Sequence, residues 1–325
     1  MTSRRDFLST TSIAATGLVL SPLAACSRET ASAPAGAAAA QGTPAIPEVA
    51  AGPMLTRAIP STGELLPVIG AGTSGSYEVR LGSSEFETLK DVVRIFFEGG
   101  GSVIDTSTNY SNAEDVVGAL LDEGGWRDRC FLATKLAADS RARLEEQWAD
   151  SLRRLRTDRI ELLAVHNMRN MAQALPFARE LKAQGLVKYV GLTHYQASSH
   201  DAMLRAMQAE KPDFIQINYS VNAPQAAARL FPAARDQGVA VMVNRAFDDG
   251  RLFRRVTDRA LPEWAAEAGV TSWSQMFLKF VISHPAVTVV IPATGRPERQ
   301  ADQLNAGRGN LLTEAQQKEL IGMFD

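Results

Sequence analysis

Short apolar runs alternate with longer amphipathic stretches from Met54 to the C-terminus. The runs have the length of strands, and the stretches between them repeat apolar residues at helical spacing. Residues 84–100 and 142–155 are two such stretches, and the first ends in glycine, which favours a helix stop. The pattern predicts strands at residues 66–72, 102–106, 130–135, 160–166, 188–194, 214–219, 239–244 and 287–292.

The order of these elements predicts the fold. Strands that alternate with helices pair in parallel through right-handed crossovers. Eight strand–helix units within residues 54–325 fit the size of a single-domain (β/α)8 (TIM) barrel. A doubly wound open sheet is the alternative, but the first predicted strand lacks a Gly-x-Gly-x-x-Gly turn that leads into a helix.

Composition narrows the class of protein. The 325 residues are 45% hydrophobic and 22% charged, as in an ordinary globular protein. Lys plus Arg number 34 against 36 Asp plus Glu, so no basic excess is present to bind nucleic acid. The two cysteines, Cys26 and Cys130, can form one disulfide at most, and they do not predict a metal site.

Three successive predicted strands end in an ionisable residue: Asp105, Lys135 and His166. Taken singly, Asp105 could cap a strand or helix, Lys135 could be a solvated charge, and His166 could be a core histidine. In a parallel barrel, however, strand ends of this kind converge on the C-terminal rim, where active sites lie. The shared position therefore favours one functional site.

Tyr110 follows Asp105 on a predicted loop and completes a chemically useful set. A tyrosine is a weak acid at neutral pH, but an ammonium held by a carboxylate favours the phenolate. A histidine nearby can orient a carbonyl oxygen through a hydrogen bond. This combination suits proton transfer during carbonyl reduction, with the hydride supplied by a cofactor.

Three motifs, "VIDTSTNYSNAEDVVGALL", "FLATKL" and "LLAVHN", resemble the aldo-keto reductase family in order and spacing. The similarity extends from "RAIPSTGELLPVIGAGT" to "IPATGRPERQADQLNA", which is nearly the whole predicted barrel. The resemblance implies reduction of an aldehyde or ketone with NADPH or NADH. It also implies that Asp105 and Lys135 tune Tyr110 as the general acid and that His166 positions the carbonyl.

The same resemblance implies a cofactor site. Gly72 and Thr73 match the end of the first strand. Thr193, His194 and Gln216 match the positions that hold the nicotinamide carboxamide, and "IPATGRPER" matches the loop that holds the adenosine phosphates. By position, the implied cofactor-binding residues are Gly72, Thr73, Asp105, Thr193, His194, Gln216, Asn244, Arg245, Thr294, Arg299 and Gln303.

Several of these positions depart from the family pattern. His194 replaces a common Asn, and Ala293 stands where many members carry a Lys for the 2′-phosphate, so the choice between NADPH and NADH stays open. Asn244 replaces an aromatic residue that often stacks on nicotinamide. Arg245 either reaches a cofactor phosphate or faces solvent. A cofactor-binding redox sensor with little turnover is therefore the alternative function.

The N-terminus reads as an export signal. "SRRDFL", with Arg4 and Arg5, resembles the twin-arginine signal read by the Tat export machinery, which carries folded proteins to the periplasm. The apolar run that follows is too short and too interrupted by glycine and proline to span a membrane. Residues 1–25 are predicted to be the signal peptide, with a chance Arg-Arg pair as the alternative.

"LAAC", residues 23–26, resembles the lipobox of bacterial lipoproteins, which implies membrane attachment through a lipidated Cys26. An accidental Cys in an Ala-rich cleavage region is the alternative. Residues 26–53 are rich in Ala, Pro and Gly without apolar periodicity, and this composition predicts a flexible tether before the barrel at 54–325.

Overall fold

The computed structural model describes residues 46–325, in which eight parallel strands form a barrel. In chain order the strands are β1 (Thr56–Ala58), β2 (Leu65–Pro67), β3 (Ala71–Gly72), β4 (Val103–Asp105), β5 (Phe131–Leu136), β6 (Ile160–Val165), β7 (Val187–Thr193), β8 (Phe214–Asn218), β9 (Ala240–Asn244) and β10 (Val287–Val290). The order in the barrel sheet is β10-β9-β8-β7-β6-β5-β4-β3, and bridges from Ile69 to Val290 and from Gly72 to Ala293 close it. The predicted (β/α)8 barrel is confirmed.

Helices cover the outside of the barrel. The first begins after Ser83, whose Oγ accepts a hydrogen bond from Phe86 N, and ends at Gly99. Its apolar face packs in the main core, so the predicted helix at 84–100 is confirmed within two residues. The α-helices are α1 (Ser84–Glu98), α2 (Ala113–Glu123), α3 (Arg141–Arg154), α4 (Met171–Ala183), α5 (His200–Glu210), α6 (Leu230–Asp236), α7 (Arg251–Arg254), α8 (Trp273–Ser283), α9 (Pro297–Asn305) and α10 (Glu314–Gly322).

The first predicted strand, residues 66–72, is wrong as a single element. Leu65–Pro67 forms β2 and pairs antiparallel with β1, whereas only Ala71–Gly72 forms the barrel strand β3. The hairpin plugs the barrel at the N-terminal ends of the strands, because Ile59 and Leu66 pack in the interior cluster. An apolar run has the same sequence pattern whether it lies in such a plug or in a barrel strand.

The barrel interior changes from apolar to polar along the strand direction. Alternate residues of each strand point inward, since strand side chains have a period of two. Near the plug these inward residues are Phe131, Tyr189 and Phe214, which form one buried apolar cluster. At the opposite end they are Asp105, Lys135, Thr193, Gln216 and Asn244. The polar residues therefore collect at the C-terminal rim.

The chain enters the barrel beside the end of α9. Ala50 N donates to Asn305 Oδ1 across 2.7 Å, and Arg308 Nε donates to the Gly52 carbonyl across 3.2 Å. The last part of the predicted 26–53 tether thus contacts the barrel. The predicted signal peptide at 1–25 and the lipidated Cys26 lie outside the described residues.

Within residues 46–325 no helix is both long and apolar enough to cross a membrane. The same part of the chain contains no group of three or more His, Cys, Asp or Glu side chains arranged to hold a metal ion. Cys130 is a buried free thiol, and burial raises its pKa, so it is a poor nucleophile.

Candidate active site

Asp105 and Lys135 form a buried ion pair at the rim. Lys135 Nζ donates to Asp105 Oδ2 across 2.7 Å and to the Thr106 carbonyl across 2.6 Å. Burial alone would lower the pKa of Lys135, but the attraction of Asp105 and Tyr110 outweighs it and raises that pKa. The ammonium is therefore charged at neutral pH, although its side chain is only 1% exposed.

Two further side chains fix Asp105. Gln216 Nε2, on β8, donates to Asp105 Oδ1 across 2.9 Å, so each carboxylate oxygen has its own donor. Thr73 Oγ1 donates to the Asp105 backbone carbonyl across 3.0 Å. Since Gly72 and Asp105 are also paired in register, the first two barrel strands are joined at the ion pair. The carboxylate is held in one orientation.

Tyr110 lies on the loop between β4 and α2. Its N–H donates to the Ser107 carbonyl across 3.0 Å, and its own carbonyl accepts from Ala113 N across 2.8 Å. The half-buried ring lies with its centroid 4.9 Å from Lys135 Nζ and 5.9 Å from the His166 ring, which it meets edge-on at 87°. The loop thus places the Tyr110 ring close to both the Lys135 ammonium and the His166 imidazole.

His166 follows β6 directly and is neutral. Burial, followed by the charges of Lys135 and Arg169, lowers the pKa of His166 to about 3. Asn109 Nδ2 lies 3.3 Å from its Nδ1, and Ser107 Oγ lies 3.1 Å from the same atom. Because an amide N–H can only donate, Nδ1 is the acceptor and Nε2 carries the proton. This neutral tautomer can donate a hydrogen bond to a carbonyl oxygen.

The polar rim continues along β7, β8 and β9. Asn244 Nδ2 donates to the His194 carbonyl across 3.2 Å and approaches Gln216 Oε1 at 3.4 Å. Thr193 Oγ1 accepts from Asn167 N across 3.0 Å, which ties the loop after β6 to the end of β7. The predicted nicotinamide contacts Thr193 and Gln216 are paired in register, and Gln216 approaches Asn244 on one side and donates to Asp105.

The predicted contact His194 uses its ring to shape its own loop. Nδ1 accepts from the N–H groups of Tyr195 and Gln196 at 3.1 and 3.2 Å, and Nε2 lies 3.2 Å from Ser199 Oγ. Burial lowers the pKa of His194, which favours this neutral ring. Both ring nitrogens are thus engaged, and the backbone carbonyl is the His194 atom that meets Asn244.

Arg245, which follows β9, is held at the rim. Its guanidinium pairs with Asp249, donates to the Tyr195 carbonyl across 3.3 Å and lies 5.3 Å from the centre of the Tyr195 ring. The side chain is 24% exposed, so it reaches solvent, while Asp249 and the Tyr195 carbonyl orient its guanidinium.

The remaining predicted residues lie where the barrel closes. A Cβ on Gly72 would approach the Ile291 carbonyl oxygen to 2.8 Å, so only glycine fits there. Thr294 Oγ1 accepts from Arg296 N across 3.2 Å, and Arg299 is an exposed residue of α9. Gln303, one turn further on, is buried.

Three buried amide atoms on this side of the barrel have no hydrogen-bond partner: Asn244 Oδ1, Gln300 Nε2 and Gln303 Oε1. A buried polar atom without a partner costs stability unless a ligand or water satisfies it. Two of the three, Asn244 Oδ1 and Gln303 Oε1, belong to predicted cofactor residues, and each offers an acceptor. These residues fit a dinucleotide with amide and adenine groups.

Residue-type reasoning missed the side chains that set the His166 tautomer. Ser107 and Asn109 lie between Asp105 and Tyr110 in "DTSTNY", where three hydroxyls and an amide are a visible but unspecific signal. Gln300 was also missed, as was Met242, whose Sδ lies 3.0 Å from Gln216 Nε2. Their roles depend on side-chain direction, which a sequence pattern does not encode.

A model of the family described as aldo/keto reductase matches residues 68–321. Aldo-keto reductase YhdN of Bacillus subtilis is 26% identical over 215 residues, which cover 62% of this chain and 64% of YhdN, less than two thirds of that relative. Methylglyoxal reductase DkgB of Escherichia coli O157:H7 is 26% identical over 259 residues, covering 75% of this chain and 92% of DkgB.

Solved structures agree on the fold. An aldo-keto reductase from Klebsiella pneumoniae, in complex with NADPH, superposes with a TM-score of 0.71 at 24% identity, covering 83% of this chain and 96% of that one. A holo aldo-keto reductase from Bacillus halodurans gives a TM-score of 0.67 at 21% identity, with the same coverage. The family model covers most of the barrel, from residue 68 to residue 321. The chain therefore belongs to the aldo/keto reductase family.

Proposed function

We propose that this chain reduces an aldehyde or ketone with NADPH or NADH and that Tyr110 is the proton donor. The observation that carries the proposal is the position of the Tyr110 ring, 4.9 Å from Lys135 Nζ and 5.9 Å from the His166 ring. Tyr110 is the acid, the Lys135 ammonium stabilises its phenolate, and neutral His166 is the hydrogen-bond donor. These three groups lie around one point at the rim.

In this mechanism Tyr110 gives its hydroxyl proton to the carbonyl oxygen of the substrate. The phenolate then forms beside the Lys135 ammonium, whose charge is fixed by Asp105 at 2.7 Å. Coulomb attraction at such a buried site is stronger than in water, so the pair stabilises the developing negative charge. Asp105 acts on the proton transfer through Lys135.

His166 orients the same carbonyl oxygen. Its Nε2–H is the donor, because Nδ1 accepts from Asn109 Nδ2. A neutral imidazole can position the oxygen without competing with Tyr110 for the proton transfer, since the pKa of His166 is about 3. Ser107 and Asn109 therefore act on the substrate through the His166 tautomer.

A nicotinamide cofactor, when bound, supplies the hydride that reduces the carbonyl carbon. The residues that would hold it are Thr193, Gln216 and Asn244 at one end and Thr294, Arg299 and Gln303 at the other. The unpartnered Asn244 Oδ1 and Gln303 Oε1 support this assignment, because each would gain a donor. Gly72 lets the Ile291 carbonyl approach the backbone closely where the barrel closes beside these residues.

The relatives support the same activity. The Klebsiella pneumoniae neighbour is described as a complex with NADPH, and DkgB is described as a methylglyoxal reductase. Loss of NADPH absorbance, measured for the purified full-length chain with a panel of aldehydes and ketones, tests the proposal. Carbonyl-dependent oxidation is expected. Tight NADPH binding without turnover on any carbonyl would contradict it and favour the redox-sensor alternative.

We further propose export to the periplasm by the Tat route with anchoring through Cys26. The support is the sequence "SRRDFL" followed by "LAAC". An Arg4→Lys, Arg5→Lys variant should stay in the cytoplasm, and unchanged export would contradict the Tat assignment.

Cys26→Ser should release soluble periplasmic protein, because lipid chains provide the anchor. Soluble wild-type protein in the periplasm would contradict lipidation.

A further inference from the structure

Glu114 is a buried carboxyl group that the proposed reaction does not use. It lies in the first turn of α2, four residues after Tyr110, and is 1% exposed. Its Oε1 accepts hydrogen bonds from Thr134 Oγ1 at 2.7 Å and Ser151 Oγ at 2.9 Å, and both donors are fully buried. One carboxyl oxygen therefore joins α2 to β5 and α3.

The Thr134 contact bears on the proposed active site because Thr134 precedes Lys135 on β5. Side chains alternate along a strand, so Lys135 points into the barrel while Thr134 points out toward the helices. The hydrogen bond to Glu114 thus ties the helix that follows Tyr110 to the strand that carries Lys135. The Ser151 contact reaches α3, away from that strand position.

The other end of the Tyr110 loop is tied to the same strand. Thr108 Oγ1 donates to the Lys135 carbonyl across 3.3 Å and accepts from Gln147 Nε2 across 3.0 Å. Gln147 Oε1 in turn accepts from Ala137 N across 2.8 Å, just beyond β5. Asn112, the residue before α2, makes no side-chain cap to the helix, and its Nδ2 instead donates to the Val79 carbonyl across 2.6 Å. Glu114 is therefore the side chain that links this end of α2 to β5.

We infer that Glu114 is a positioning residue for Tyr110: through Thr134 it sets the distance between the Tyr110 phenol and Lys135. The inference rests on the proposed function, since the spacing matters only if Tyr110 transfers a proton. A displacement of about 1 Å at a reacting group can cost about 100-fold in rate. Neither Glu114 nor Thr134 touches the substrate or cofactor positions.

Two matched variants separate positioning from packing. Thr134→Val and Ser151→Ala each remove one donor to the same Glu114 oxygen, and both should lower the melting temperature. Thr134→Val should also lower kcat by about 10-fold with an unchanged dissociation constant for NADPH, because misplacement acts on the reaction step. Ser151→Ala should keep kcat within about twofold. Equal losses of kcat in the two variants, or no loss in Thr134→Val, would overturn the inference.

Glu114 itself provides a rescue test. A glutamine side chain keeps the accepting oxygen and places its amide nitrogen where Oε2 has no hydrogen-bond partner. Glu114→Gln should retain kcat within about threefold, whereas Glu114→Ala should lose about 10-fold or more. Equal losses in the two folded variants would overturn the inference. If Glu114→Ala does not fold, Thr134→Val against Ser151→Ala still decides.

Hydrogen exchange keeps this test independent of the proposed activity. The N–H groups of Tyr110 and Ala113 are bonded to the carbonyls of Ser107 and Tyr110. Thr134→Val should speed exchange at these two amides more than Ser151→Ala does. If wild type has no turnover, the proposed function fails, and the exchange rates alone then decide whether Glu114 orders the loop. Equal protection of these two amides in both variants would contradict the inference that Glu114 orders the loop.

Discussion

Lys135 Nζ donates to Asp105 Oδ2 across 2.7 Å at a site where the two side chains are 1% and 5% exposed. Removal of one partner from such a pair leaves an uncompensated buried charge and costs about 3–5 kcal/mol. Asp105→Asn and Lys135→Met should each lower the free energy of unfolding by an amount of this order. Urea unfolding of the two variants measures it.

The double variant supplies the control for that prediction. Asp105→Asn with Lys135→Met should cost clearly less than the sum of the single changes, since the second change removes the charge that the first left unpaired. Additive losses would show that the two groups are not energetically coupled.

His166 and His284 should stay neutral well below the usual histidine range. Burial is the main cause that lowers the pKa of His166 to about 3 and that of His284 to about 4. NMR titration should show no change in these two rings between pH 8 and about pH 5, whereas an ordinary histidine titrates near 6.5. A ring that titrates near pH 6.5 would contradict the neutral assignment.

The same two groups make stability fall in acid. Below about pH 6.5 the unfolded chain takes up protons that the folded state does not, so the free energy of unfolding decreases as pH falls. The slope should be about 1.2 kcal/mol per pH unit for each histidine between pH 6 and pH 5. His284→Gln should reduce it without affecting the rim.

Lys279 is a buried lysine whose Nζ donates to the Arg308 carbonyl, and burial lowers its pKa to about 8. Below that pH the folded state carries a buried charge; between pH 8 and 10.5 it releases a proton that the unfolded chain retains, so stability rises with pH. Lys279→Met should therefore stabilise the protein at pH 7, by at most about 3 kcal/mol. The gain should disappear above about pH 10. A Met variant that is less stable at pH 7 would contradict this assignment.

Gly72 is required at the point where the barrel closes. In Gly72→Ala the new Cβ would lie 2.8 Å from the Ile291 carbonyl oxygen, so either β3 or the segment after β10 must shift. We expect a loss of about 1–3 kcal/mol and weaker NADPH binding, measured by thermal unfolding and fluorescence titration. Gly322→Ala is the matched control, because its Cβ meets nothing within 4 Å and alanine favours a helix. Equal stability of the two variants would contradict the steric constraint.

The strands of the barrel were predictable because they are buried on both faces and read as continuous apolar runs. Residues 102–106 and 160–166 match β4 and β6 within one residue at each end. The run at 66–72 failed because Leu66 is as buried in the plug as it would be in a strand. Burial alone does not distinguish those two environments.

The candidate site was predictable where it depends on strand ends, and less so where it depends on side-chain direction. Asp105, Lys135 and His166 converge because parallel strands place their C-terminal ends on one rim. His194 could not be resolved from its residue type, since its ring turns back into its own loop at 3.1 Å from Tyr195 N. Glu114 gave no separate signal, because its donors are far away in sequence.

The measurement that tests the central claim most directly compares Tyr110→Phe with wild type, in kcat for carbonyl reduction and in the dissociation constant of NADPH. The variant loses one hydroxyl, so it should fold and bind NADPH normally while kcat falls about 100-fold or more. Tyr189→Phe is the control, since it removes a hydroxyl that bonds Glu64 at the plug end of the barrel and should leave kcat unchanged. A Tyr110→Phe enzyme with near-normal kcat would contradict the assignment of Tyr110 as the proton donor.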